Sequence, residues 1–313
     1  MAKFRIHNKR KQDLIFYIVM LAYPLLQFTI FYIGVNFNSI LMAFQYFSGS
    51  TGKIDNYKFF EFSELFTNFT TFFDRFRSGS GIEEMTLLHG YAFKNAMTAY
   101  FAALLLTTPV SIIFSYYIFK KYPLHSMMKV VLFAPSVICG MALITIYKQL
   151  TDGIALEIFS NLELGLLANP ETSFGTVLFY CIWLGLGGGI LLYVGAMNNI
   201  SDSVIEACKL DGANTFQEIG YIVLPLIYPT FVTFIVCGVG GIFTNQMGLY
   251  SFFGGSADPH IQTFGYWFFV QTKGATAARY PELAAIGLLM TAIVAPITLF
   301  VKWGLEKIGP SQL

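Results

Sequence analysis

Charge is what this sequence lacks. Only 12% of its 313 residues are Asp, Glu, Lys or Arg, against roughly a quarter in ordinary globular domains. With 55% hydrophobic residues, a water-soluble domain of this size has too little polar surface to cover its core. Disorder is excluded on the same ground, since it needs low hydrophobicity and high charge. There is no basic excess either: 19 Lys+Arg face 18 Asp+Glu, which leaves no footprint for nucleic acid. The composition fits a lipid bilayer.

Cysteine and histidine are scarce, at four each. Cys139, Cys181 and Cys237 lie in apolar stretches and Cys208 in a polar linker. With no Cys-x-x-Cys pair, neither a disulfide framework nor a zinc site is indicated. His7, His89, His125 and His260 stand singly, too dispersed for a metal cluster. A phosphate-cradling G-x-x-x-x-G-K-[ST] run is missing as well, because Gly52-Lys53 is followed by Ile54. Gly185, Gly187, Gly188 and Gly189 lack the G-x-G-x-x-G pattern; Gly185 and Gly189 have the small-xxx-small spacing of close helix packing.

What is present is a series of apolar stretches long enough to span. Crossing about 30 Å of hydrocarbon takes about 20 helical residues. Leu14–Val35, Phe93–Phe119, Met127–Tyr147, Phe174–Met197, Ile219–Phe243 and Leu283–Val301 predict six transmembrane helices in one domain, 1–313. Pro24, Pro109, Pro135 and Pro296 fall inside them, which membrane helices tolerate when neighbours satisfy the freed carbonyls. The first apolar run exceeds the core of a signal peptide and no small-residue cleavage site follows, so it reads as an uncleaved anchor.

Lys3, Arg5, Lys9, Arg10 and Lys11 place residues 1–13 in the cytoplasm, and Lys120, Lys121 and Lys129 agree. Parity then puts the C-terminus, with Lys302 and Lys307, on the same side. Residues 36–92 form a longer external loop region, and the acidic loop with Asp152, Glu157, Glu163 and Glu171 is also external. Residues 198–218 break the charge rule: cytoplasmic by parity, they carry Asp202, Glu206, Asp211 and Glu218 against Lys209 alone. A loop shaped to meet a partner would explain this.

Within that loop, Ser203 and Glu206 have the spacing of a capping box, so a helix of about eight residues is predicted from there. Gly212 is its left-handed stop. Asn214 and Gln217 repeat the capping spacing and launch a second helix, with Pro225 and Pro229 near its start. Ala207, Cys208, Gly212 and Ala213 keep the turn slim enough for a groove on another protein; an ordinary helix–turn–helix connector is the plain alternative.

The segment resembles the signature loop of binding-protein-dependent ABC importer permeases of the sugar type. Glu206-Ala207-Cys208, Asp211-Gly212-Ala213 and Ile222-Val223-Leu224-Pro225 stand at the family's spacing, with Cys208 where a second Ala is usual. Phe216 stands where sugar permeases often have Trp. Ala134-Pro135-Ser136, Asn169-Pro170, Trp183 and the run Leu192–Ile200 also resemble that family, whereas 36–92 matches poorly. The resemblance implies an all-α membrane protein of type I importer fold, with a cytoplasmic coupling helix between helices 4 and 5. It implies four kinds of partner: a second, related permease chain, two cytoplasmic ATPases that carry ATP and Mg, an external solute-binding protein, and membrane lipid. This chain itself would bind no cofactor and catalyse nothing. Glu206 would cap and dock the short helix, Asp211 make a polar contact, Gly212 supply the turn and Pro225 stiffen the following span.

The near absence of ionisable groups in the spans argues against an ion-coupled secondary transporter; a channel or a membrane-embedded enzyme lacks a filter repeat or convergent polar groups. A charge-poor pathway suits a neutral polar solute, and the resemblance points to sugars or oligosaccharides. Tyr100, Trp183, Tyr193, Asn245, Gln246 and Tyr250 are the pathway candidates, although Trp and Tyr also favour membrane interfaces.

Overall fold

The computed structural model describes residues 16–49, 57–78, 90–154, 157 and 164–310. The basic segment 1–13, His7, Gly52-Lys53, His89 and Glu163 lie outside these. In hydrocarbon every backbone polar group needs an internal partner, and most apolar stretches accordingly form helices.

The first helix, α1 (Phe16–Met42), is long and apolar enough to cross a membrane, and none of it is buried within the chain. It runs seven residues beyond the predicted end at Val35. Its polar side chains bond back to the helix rather than breaking it: Asn36 Nδ2 donates to the Tyr32 carbonyl at 2.6 Å and Ser39 Oγ to that of Val35 at 2.9 Å. Two short antiparallel strands follow, β1 (Gln45–Phe47) and β2 (Tyr57–Phe59), with Tyr46 opposite Lys58. This pair is a small exception to the all-helical expectation. Helix α2 (Thr67–Ser78) comes next. Asn68 Nδ2 donates to the carbonyls of Ala43 and Gln45 at 2.8 and 2.9 Å, holding α2 to the end of α1 and the start of β1. Helix α1, the two strands and α2 as far as Asp74 belong to one compact unit, Met1–Asp74 with Ala275–Leu289.

The second unit, Arg75–Gly274 with Met290–Leu313, holds the loop and apolar spans that concern function. Helix α3 (Ala92–Phe119) spans and widens into a π-turn at Ala103–Thr107. Pro109 explains the widening, since its ring would strike the Leu105 carbonyl in a regular α-turn. The Ala103 carbonyl accepts the Thr108 N–H across the widened turn and a second bond from Thr108 Oγ1 at 3.1 Å.

The predicted third span is not one helix. Helices α4 (His125–Val137) and α5 (Gly140–Ile154) meet at 98°, with Ile138 and Cys139 extended between them. Pro135 weakens the ladder just before the break, and Gly140 opens the next helix. Among the described residues, five helices are long and apolar enough to cross a membrane, or six with the bent pair as one span.

Helix α6 (Pro170–Met197) starts four residues before Phe174, because Asn169 caps it and Pro170 takes the first turn, where a missing N–H costs nothing. Its glycines set the packing. A Cβ at Gly189 would lie 2.9 Å from Ser111 Oγ, and one at Gly187 2.8 Å from the Leu132 carbonyl. The helix therefore touches α3 on one side and α4 on the other. Helices α7 (Asp202–Leu210) and α8 (Thr215–Gly241) follow, then the short α9 (Leu249–Phe253) and α10 (Phe264–Lys273). The last helix, α11 (Tyr280–Ile308), passes from the first unit into the second.

Two buried clusters hold the second unit together. One gathers Tyr147, Val177, Tyr180, Met247, Leu249, Phe252 and Tyr266. The other gathers Ile112, Tyr116, Tyr193, Met197, Val223 and Ile227 from α3, α6 and α8.

Candidate functional site

The acidic loop forms an elbow. Helix α7 begins at Asp202, with Ser201 extended as its N-cap, so the box predicted at Ser203 and Glu206 is not the one used. Ser203 is the second helical residue, and its hydroxyl meets that of Ser201 at 3.1 Å. Asp202 then stands in the first turn, favourable against the helix dipole. The predicted stop is observed: Gly212 has φ +77°, and the Ala213 N–H bonds the Cys208 carbonyl at 3.2 Å. The second predicted box is complete. Asn214 Oδ1 accepts from the Gln217 N–H at 2.9 Å, and Gln217 Oε1 accepts from the Asn214 N–H at 2.8 Å. Helix α8 thus leaves the turn in a fixed direction. A π-turn at Glu218–Val223 precedes Pro225, as at Pro109, and encloses the Tyr221 carbonyl that the proline ring would meet.

The elbow has two faces. Ile205 and Cys208, one turn apart, are buried. Glu206, Ala207, Asp211 and Gly212 are exposed, and Ala213 is half-buried. Cys208 therefore faces its own protein rather than the exposed side of the elbow. Its small side chain suits this buried position. Leu210 and Phe216 are 89% and 86% exposed. Two large apolar side chains flanking a capped turn are unfavourable in water and are the surface that a docked protein would cover. Leu224 and Pro225 are half-buried, Leu224 against the cluster around Tyr193.

A cavity of about 440 Å³ lies among α3, α6 and α8. Tyr100, Tyr193 and Asn245 line it, as three of the six pathway candidates. Tyr100 packs so closely on α8 that a Cβ at Gly238 would lie 2.8 Å from its ring. Tyr193 stacks obliquely on Phe234, with ring centres 5.0 Å apart. Asn245 is held at the bend after α8, its Oδ1 accepting from the Met247 N–H at 2.8 Å. Thr107, Thr108, Ser111 and Thr263 add to the polar lining, and sequence reasoning missed all four. The hydroxyls of Thr107, Ser111 and Tyr193 are buried with no hydrogen-bond partner among the described residues. None of the residues described as lining the cavity is charged.

The other three candidates lie outside the cavity wall. Trp183 packs beside Tyr180, ring centres 6.3 Å apart, and its half-buried side chain supports the cluster around Tyr147. Gln246 contributes its carbonyl to the turn into α9, accepting from the Leu249 N–H at 3.0 Å. Tyr250 is engaged by Lys273, whose ammonium lies 4.2 Å from its ring centre and bonds its hydroxyl. Nearby, Tyr266 donates to the Gly254 carbonyl at 2.9 Å and accepts from the Ala257 N–H at 3.1 Å. Burial raises its pKa above the ordinary tyrosine value. Among the described residues no group of three His, Cys, Asp or Glu could hold a metal ion.

A capped elbow between two apolar helices, beside an uncharged and mostly apolar cavity, belongs to a helical membrane protein, and the family match makes its class that of a membrane transport component. Residues 108–312 match the family described as binding-protein-dependent transport system inner membrane component, and the chain belongs to that family. It is a multi-pass membrane protein. The probable ABC transporter permease protein YesP of Bacillus subtilis is 26% identical over 53% of this chain and 56% of its own length. The multiple sugar-binding transport system permease protein MsmF of Streptococcus mutans is 23% identical over 53% and 58%. The chain thus spans little more than half the length of these relatives. A bacterial ABC transporter that imports the acidic polysaccharide alginate shares the fold, with TM-score 0.71 and 22% identity over 97% of this chain and 99% of that one. A second structure, of an alginate ABC transporter with an alginate pentasaccharide-bound periplasmic protein, gives 0.69 and 20% over 94% of each chain.

Proposed function

We propose that this chain is a permease subunit of an ATP-driven importer for a neutral sugar or oligosaccharide. An external solute-binding protein delivers the solute, and a separate pair of ATPases, carrying ATP and Mg, supplies the work. The elbow carries the reading: a capped, left-handed turn flanked by exposed Leu210 and Phe216 is a shape for docking a rigid protein partner. On this reading the elbow and both chain termini face the cytoplasm, Glu206 and Asp211 give the polar contacts of the dock, and a second, related permease chain completes the pathway. ATP then acts by binding two conformations unequally, since an effector moves an equilibrium only through contacts that differ between states.

The cavity supports the choice of solute. Sugars are bound by aromatic faces and by exchangeable hydroxyl hydrogen bonds, and the wall holds the rings of Tyr100 and Tyr193. The buried hydroxyls of Thr107, Ser111 and Tyr193, without partners among the described residues, would become available to a solute once the helices part. Burying a carboxylate there without a cation would be costly. The uncharged lining therefore favours neutral sugars over acidic ones such as alginate.

The test is reconstitution of the complex in proteoliposomes with its binding protein. Uptake of neutral oligosaccharides that requires ATP, with little uptake of uronic acid oligomers, is expected. Uptake that persists without ATP would favour a channel or secondary carrier.

A further inference from the structure

Lys120 and Glu218 form an ion pair with their side chains only 11% and 6% exposed. Among the described residues, Lys120 Nζ and Glu218 Oε1 have no hydrogen-bond partner besides this contact, so the Lys120 charge is balanced by Glu218, whose carboxylate also meets the Tyr116 hydroxyl. Lys120 closes the C-terminal end of α3 and Glu218 stands in the first turn of α8. Each charge is thus placed favourably on its own helix dipole. The Tyr116 hydroxyl lies against the same carboxylate, and Cys208 of the elbow lies near that hydroxyl. The Lys120 ammonium is also 5.6 Å from the Tyr116 ring centre. Tyr116 in turn belongs to the buried cluster with Tyr193, which lines the cavity.

We propose that the Lys120–Glu218 pair, seated on Tyr116, is the joint through which the elbow moves α3. Lys120 and Glu218 act as positioning residues for coupling. The inference rests on the function proposed above. A buried ion pair contributes little net stability compared with an apolar pair of similar volume. It differs from an apolar contact in that it is directional and that parting the two groups leaves two unpaired buried charges, which is strongly unfavourable. A shift of α7 that displaces Glu218 therefore either carries the C-terminal end of α3 along or breaks the pair. An apolar contact would let the two helices slide.

The deciding variant is K120M/E218M, which removes both charges and strands neither. In the assembled complex we expect it to insert, to bind the ATPase and to hydrolyse ATP at the basal rate. The increase in hydrolysis caused by sugar-loaded binding protein, with the oligosaccharide pool that drives wild-type uptake, should fall roughly tenfold, within the usual range of coupling between sites. The charge swap K120E/E218K should recover much of that increase, which an effect on stability alone would not produce. A K120M/E218M complex stimulated to within about twofold of wild type would overturn the joint and leave the proposed function standing. A wild-type complex with no ATP-dependent uptake would overturn that function, and the joint with it.

Discussion

Ser111 stands against Gly189 so closely that a Cβ on the glycine would lie 2.9 Å from the serine Oγ and 3.2 Å from its Cβ. Gly185 repeats the approach one turn earlier, where a Cβ would lie 3.3 Å from Thr107 Cγ2. In lipid the hydrophobic effect does little to drive helices together, and close packing by small residues takes its place. The contact sets the distance between α3 and α6, and with it the width of the cavity.

Gly189→Val should therefore destabilise the chain by about 1–3 kcal/mol, the usual cost of overpacking. Gly188→Val is the control, because a Cβ there meets nothing within 4 Å. Thermal unfolding in detergent should show a clear fall in Tm for the first and little change for the second. Equal Tm values would contradict the close contact.

The idle hydroxyls give a prediction with two opposite signs. Tyr193→Phe removes a buried hydroxyl that has no hydrogen-bond partner among the described residues, a group whose burial costs about 1–3 kcal/mol. The sugar-free protein should become more stable. If sugar hydroxyls satisfy that group during transport, the same variant should raise the sugar concentration needed for half-maximal uptake by about two- to tenfold. Thermal unfolding and uptake titrations read the two effects separately, and a loss of stability without sugar would show that the hydroxyl is bonded in the empty state.

Gly212→Val places a β-branched residue at φ +77°, in a region that costs an L-residue about 1–2 kcal/mol. No atom crowds the position, so the strain stays within the elbow. The variant should insert and reach normal levels in the membrane while losing sugar-stimulated ATP turnover in the assembled complex. Near-normal transport would count against the elbow as coupling element.

Asn214→Ala removes a complete capping box and should cost about 1 kcal/mol locally. Hydrogen exchange at the Gln217 and Glu218 amides, which bond Asn214 Oδ1 and the Asn214 carbonyl, should speed up by roughly fivefold, as that energy implies, with α6 unaffected. Unchanged exchange would show that the membrane-spanning part of α8 alone holds its start in place.

Much of this architecture was legible because the bilayer imposes simple rules. Charge-free stretches gave the spans, and Asn169-Pro170, Gly212 and Asn214/Gln217 marked ends that the structure keeps. The misreadings have local causes. The S-x-x-E pattern at Ser203 also fits the inside of a helix whose cap lies two residues earlier. Asn36 and Ser39 looked like loop residues, yet they bond their own helix. Pro135 and Gly140 were visible, but a bend of 98° between two halves depends on tertiary packing. Thr107, Ser111 and Ser115 carry a readable signal, since three hydroxyls at i, i+4 and i+8 share one face of the helix. Two of them reach the cavity, while Ser115 bonds the Ile190 carbonyl at 3.1 Å. Residue chemistry alone points to Trp183, Gln246 and Tyr250, and residue type does not reveal which way a side chain faces.

The central claim is that the elbow receives work from a separate ATPase. Its most direct test is a photo-crosslinking side chain at position 210, used in membranes that hold the assembled, transporting complex. Leu299, 66% exposed on α11, serves as the comparison site. The account predicts a crosslink from position 210 to the ATPase whose yield changes when ATP is added, and none from position 299. A transporting complex in which position 210 never reaches the ATPase would contradict it.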